Sequence, residues 1–103
     1  MSPKIYEYKG ITLRFFSNEH DPIHVHATST DGRESRVSFY LRESEIAKVS
    51  FDDVKGKKPL TLSQMKKLKA LVKQEKQEIV NAWIKVIVLK DTVVLKRITK
   101  TIK

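Results

Sequence analysis

Apolar and polar residues alternate through most of the first half of the chain. In Ile11-Thr12-Leu13-Arg14-Phe15-Phe16, residues Ile11, Leu13 and Phe15 share one side, the period of two that a strand with one buried face requires. Residues 23–28 repeat the pattern, with Ile23, Val25 and Ala27 pointing one way and His24, His26 and Thr28 the other. Asp31-Gly32 follows, and both residues tolerate the positive φ of a hairpin turn. Residues 36–41 put Val37, Phe39 and Leu41 on one face, and Glu43-Ser44-Glu45 leads into a further strand over 46–51. A short strand over 5–8, turned by Lys9-Gly10, opens the sheet. The pattern predicts an antiparallel meander of four or five strands within residues 5–54.

The period changes after Pro59. Met65, Leu68, Leu71, Val72, Ile79, Ala82, Trp83 and Val86 fall on one stripe at about 100° per residue. Thr61 and Gln64 stand at capping-box spacing, and Leu60 and Met65 occupy the two positions of a hydrophobic staple. A long helix is therefore expected over 61–88. Its end is ambiguous, because 84–89 is rich in β-branched residues and reads as extended chain equally well. Residues 92–102 read as a C-terminal strand or tail. The fold class predicted is α+β, an antiparallel sheet packed against one long helix, in a single domain over 1–103.

Composition narrows the function. The chain has 103 residues and no cysteine, which excludes disulfides, thiolate metal sites and cysteine nucleophiles. No apolar run approaches the roughly 20 residues of a membrane span, and Met1-Ser2-Pro3-Lys4-Ile5-Tyr6 has no apolar signal region. A cytoplasmic protein without membrane association is expected. Charge is unevenly placed: residues 1–54 carry 7 Lys/Arg and 9 Asp/Glu, residues 55–103 carry 14 and 3. Such asymmetry points to a polyanionic partner. Lys66, Lys69, Lys73 and Lys76 advance along one side of the predicted helix. Lys57 and Lys58 precede its N-terminus, where cations oppose the helix dipole and so are not placed for helix stability. These six are the candidate nucleic-acid contacts. Lysine predominance over arginine favours phosphate contact over base reading.

All three histidines fall within Asn18-Glu19-His20-Asp21-Pro22-Ile23-His24-Val25-His26. His24 and His26 leave one strand face about 6–7 Å apart, and Pro22 lets His20 fold back towards them. Three imidazoles with Glu19 or Asp21 would suit zinc, nickel, copper or iron. Without a metal, two imidazoles serve as base and acid on an RNA 2′-hydroxyl and leaving oxygen, with Arg14 opposing the developing charge. If Asp31-Gly32 closes a two-residue hairpin, His26 faces Val37 and His24 faces Phe39, on the core side; a three-residue loop moves them elsewhere. Glu75 falls inside the apolar stripe of the helix. It either reaches water at an edge or takes a buried partner, the histidines being nearest if the helix packs on their face.

The histidine segment, preceded by Gly10-Ile11-Thr12-Leu13-Arg14-Phe15-Phe16, resembles the signature of a bacterial family known as domain of unknown function 4160. The resemblance covers about residues 5–86, with Trp83 matching the family's Trp near the helix end and the tail from Val88 an extension. Members are often encoded beside another small protein, in pairs like toxin–antitoxin modules, so the resemblance implies a small protein partner and an RNA target. It carries His20, Pro22, His24 and His26 over as the site, framed by Asn18 and Glu19, and relatives place His where this chain has Glu75. The leading expectation is a binding module of a toxin–antitoxin-like pair that contacts nucleic acid through its basic helix and tail. The alternatives are a ribonuclease-type hydrolase using His20, His24 and His26 with Arg14 and Glu75, or an interaction domain for an acidic protein. A homodimer is compatible with each.

Overall fold

The computed structural model describes residues 4–15 and 23–102. Five strands follow in chain order: β1 (Lys4–Tyr8), β2 (Ile11–Arg14), β3 (Ile23–Ser29), β4 (Glu34–Arg42) and β5 (Glu45–Asp53). Then come the helix α1 (Leu62–Trp83), a π-helical turn over Ile84–Val88, and a short strand β6 (Lys96–Ile98). The sheet order is β5-β4-β3-β2-β1-β6. β1 to β5 form the expected antiparallel meander, while β6 runs parallel to β1. The fold is α+β.

The meander follows from the alternation. Ile11, Leu13, Val25, Ala27, Val37 and Phe39, each at most 1 % exposed, project to one face. There they join Leu68, Leu71, Val72, Ile79 and Trp83 of α1 in one buried cluster. Helix and sheet are two layers around a single core.

The helix starts where its cap directs. The Thr61 hydroxyl accepts from the Gln64 N–H at 3.1 Å, and the Gln64 side-chain oxygen accepts from the Thr61 N–H at 2.9 Å. Such a cap contributes about 1 kcal/mol. Leu60 is buried and Met65 half-buried, as a staple requires. Val80, outside the expected stripe, is buried as well. Beyond Trp83 the β-branched run stays helical in a wider turn, with the Leu89 N–H donating to the Ile84 carbonyl at 3.0 Å. No helix among the described residues is long and apolar enough to cross a membrane.

The C-terminal strand is shorter than the 92–102 expected. β6 pairs Lys96, Arg97 and Ile98 with Tyr6, Glu7 and Tyr8. Past Tyr8 the chain leaves the sheet at Lys9, whose φ is +47°, so nothing remains for Thr99 to pair with. The tail still folds back, and the Ile102 N–H donates to the Tyr8 hydroxyl at 2.9 Å.

Candidate functional site

One residue of loop length decides where the histidines point. The β3–β4 hairpin closes with the Ser29 N–H donating to the Arg33 carbonyl at 2.9 Å and the Gly32 N–H to the Ser29 carbonyl at 3.1 Å. The loop is therefore Thr30-Asp31-Gly32, three residues, with Gly32 at φ +85° in the left-handed region that ends such loops. Register then sets His26 against Arg36, Val25 against Val37 and His24 against Ser38. The two-residue reading, which put the histidines opposite Val37 and Phe39, does not apply. His24 and His26 lie on the face of the sheet away from α1.

On that open face the strands assemble a row. Arg14 of β2 pairs with His26 of β3, His26 with Arg36 of β4, and Arg36 with Asp52 of β5. Directly opposed residues hold their Cβ atoms about 4.5–5.5 Å apart, so two guanidinium stems flank one imidazole. His26 Nδ1 lies 2.8 Å from Glu34 Oε2, with side chains 15 % and 12 % exposed. Burial lowers the His26 pKa below its ordinary value and outweighs the upward pull of Glu34. The ring is thus neutral near pH 7, with its Nδ1 against the Glu34 carboxylate. The His24 ring stands edge-on to it, centroids 5.5 Å apart. Opposite His24, the Ser38 hydroxyl is buried and without a hydrogen-bond partner among the described residues.

Glu34 and Arg36 were not among the residues singled out from sequence. The signal was present, since both share the alternation of β4 with Ser38, but it becomes readable only in the three-residue register. His20, Glu19 and Asp21, the remaining candidates for a metal or for catalysis, lie outside the described residues. Among the described residues no group of three His, Asp or Glu side chains is placed to hold a metal ion.

Glu75 belongs to the other face. It is buried on α1, and Lys96 of β6 donates to it at 2.6 Å. The Tyr6 hydroxyl of β1 bonds the same carboxylate. Burial works against its charge, but Lys96 and Tyr6 more than offset this and hold it below the usual carboxylate range. Tyr6 is pushed up in turn, by burial first and by the carboxylate second. Lys96 also lies 5.9 Å from the Tyr6 ring centroid. Glu75 thus ties helix, first strand and last strand together. The expected partnership with the histidines is corrected by the side on which the helix packs.

The lysines are where the helix period puts them. Lys66, Lys69, Lys73 and Lys76 are exposed on α1, as are Lys57 and Lys58 before it. Lys69 lies over the Phe51 ring of β5 at 5.5 Å. The folded tail makes a second wall beside the helix. One groove is lined by Tyr8, Lys9, Lys66, Lys67, Ala70, Thr101 and Ile102, and the next by Lys69, Ala70, Lys73, Gln74 and Ile102.

A family model described as Domain of unknown function (DUF4160) matches residues 10–84, well over half the chain. The chain belongs to the DUF4160 family. No curated protein and no solved structure matches it. The DUF4160 segment contains β2 to β5, α1, the histidine segment and the open-face row. It leaves out β1, β6 and the tail, hence Tyr6, Lys96 and the far wall of the lysine grooves.

Proposed function

We propose that this protein binds nucleic acid through the lysine flank of α1 and the tail folded beside it. The observation that carries the reading is the lining of the two adjoining grooves: five lysines, Lys9, Lys66, Lys67, Lys69 and Lys73, and no carboxylate among the described residues. An ordinary solvated helix face intersperses both signs, whereas unneutralised ammonium groups along a groove meet a phosphate backbone by releasing its counterions. The small protein partner of a toxin–antitoxin-like pair completes the reading and takes its support from the family resemblance.

Fluorescence anisotropy of a labelled oligonucleotide against salt tests it. Four phosphate contacts predict a log–log slope of about −3 to −4. The variant Lys66→Glu/Lys69→Glu/Lys73→Glu/Lys76→Glu should lose most of that slope and bind at least tenfold more weakly. Unchanged binding by this variant overturns the proposal, and salt-sensitive binding to an acidic protein alone would favour the interaction-domain reading.

A second reading draws on the open face. The Glu34-held His26, with His24 beside it and Arg14 and Arg36 in its row, has the parts of a ribonuclease that uses imidazoles as base and acid. His26→Ala should then cost a hundredfold or more in cleavage of single-stranded RNA while leaving strand binding in place. Cleavage equal in both proteins excludes it.

A further inference from the structure

The groove beside the start of α1 is more than a strip of charge. Its volume is about 510 Å³, within the range of sites that enclose a small ligand. Apart from the exposed Thr101, its lining divides in two. Lys9, Lys66 and Lys67 are exposed, whereas Tyr8 is buried and Ala70 and Ile102 are half-buried. Cationic groups thus border an apolar floor, and among the described residues no carboxylate lies in the lining. Lys9 is held at φ +47° by the turn that ends β1, so its backbone is fixed rather than trailing. Lys66 and Lys67 are fixed by a helix whose capping box is complete. The far wall is the tail, drawn against β1 by the hydrogen bond from the Ile102 N–H to the Tyr8 hydroxyl.

A planar apolar body on the floor with a phosphate at the rim satisfies both halves of this lining, and a single nucleotide has that form. An inorganic anion would use only the lysines, and a neutral aromatic only the floor. We propose that this groove is a nucleotide-binding subsite, taking one nucleotide unit with its base against Tyr8, Ala70 and Ile102 and its phosphate among Lys9, Lys66 and Lys67. The inference deepens the nucleic-acid reading and rests on it for the choice of ligand. It adds a position where a strand is gripped by its base as well as its backbone, and where a free nucleoside monophosphate competes. Tyr8, Lys9 and Ile102 lie outside the matched segment 10–84, whereas Lys66, Lys67 and Ala70 lie within it.

Isothermal titration with adenosine and uridine monophosphates, the matching nucleosides and inorganic phosphate tests the inference on the full chain. The monophosphates should bind at least tenfold more tightly than nucleoside or phosphate alone. Lys9→Glu/Lys67→Glu should weaken monophosphate binding at least tenfold. Ala70→Trp, which fills the floor from a half-buried position of the helix, should abolish it while helicity by circular dichroism stays at the parent's level. Lys9, Lys67 and Ala70 also line the strand-binding grooves, so strand binding should weaken in both variants, while the unaltered Lys69, Lys73 and Lys76 keep part of its salt dependence. Monophosphate binding no tighter than inorganic phosphate overturns the subsite, as does full monophosphate affinity in Ala70→Trp. Strand binding without any monophosphate binding overturns the subsite alone. Loss of strand binding in the parent overturns the nucleic-acid reading, whichever way the monophosphates behave.

Discussion

The two faces of the sheet each hold a largely buried carboxylate, and the two have partners of different kinds. Glu75, on the helix side, receives a lysine ammonium at 2.6 Å and a tyrosine hydroxyl. Helix, first strand and last strand meet at this carboxylate, so the cluster is a brace between three elements. Glu34, on the open side, is 2.8 Å from the Nδ1 of His26, a group that exchanges protons near neutrality. The same ingredient braces three elements on one face and holds an imidazole on the other. Covered and open faces should therefore differ in what a substitution damages.

The largest separation is expected from truncation. Leu71→Ala, at a fully buried position of the helix, should cost about 2–5 kcal/mol in chemical unfolding. Arg36→Ala, exposed on the open face, should stay within about 0.5 kcal/mol of the parent. Comparable losses in the two variants would break the division of labour between the faces.

Next in size is the brace. Lys96→Ala leaves the Glu75 carboxylate, 9 % exposed, with Tyr6 and Gln74 alone. A cost of about 1–3 kcal/mol is expected, in the range for a hydrogen bond to a charged group. Lys96→Met, which keeps the stem over Tyr6, separates packing from charge by recovering only the part that packing supplies.

The smallest effect sharpens the comparison most, because the faces should fail in different acid windows. His26 is held below 6.5 by burial, so the unfolded chain takes up its proton first. Stability from this group is complete above about 6.5 and erodes as pH falls through that value towards the lower folded one. Glu75 is held below 4.5, so its contribution is complete above that pH and is lost only as pH falls beneath it. Each slope is at most about 1.4 kcal/mol per pH unit. In unfolding curves across pH, His26→Gln should flatten the upper window only and Glu75→Gln the lower one only. Flattening of one window by both variants would show the two sites to be coupled.

The local elements are legible in the sequence because their causes are local. The five meander strands, the Thr61–Gln64 cap, the Leu60–Met65 staple and the burial of Trp83 each depend on residues within a few positions of one another. The errors came from partners far apart in the chain. Glu75 finds Lys96 twenty-one residues later, and no helical period shows which strand will lie beside it. β6 ends at Ile98 because β1 ends at Tyr8, a fact about β1 rather than about residues 92–102. Glu34 escaped notice because its relation to His26 depends on a hairpin loop whose length Asp31-Gly32 alone does not fix. The histidine segment was legible as a cluster, but its face was not.

That hairpin imposes a rule of parity. Val25 and Val37 must both face the helix, and they are directly paired, so an odd number of loop residues must separate the two strands. Adding or deleting one residue at Thr30-Asp31-Gly32 would set core residues of β3 against surface residues of β4, unless a bulge absorbed the change. Two residues more would leave the pairing of every row intact. Within this family, hairpin lengths at this position should vary in steps of two, and where they step by one the Arg14–His26–Arg36 row should be missing.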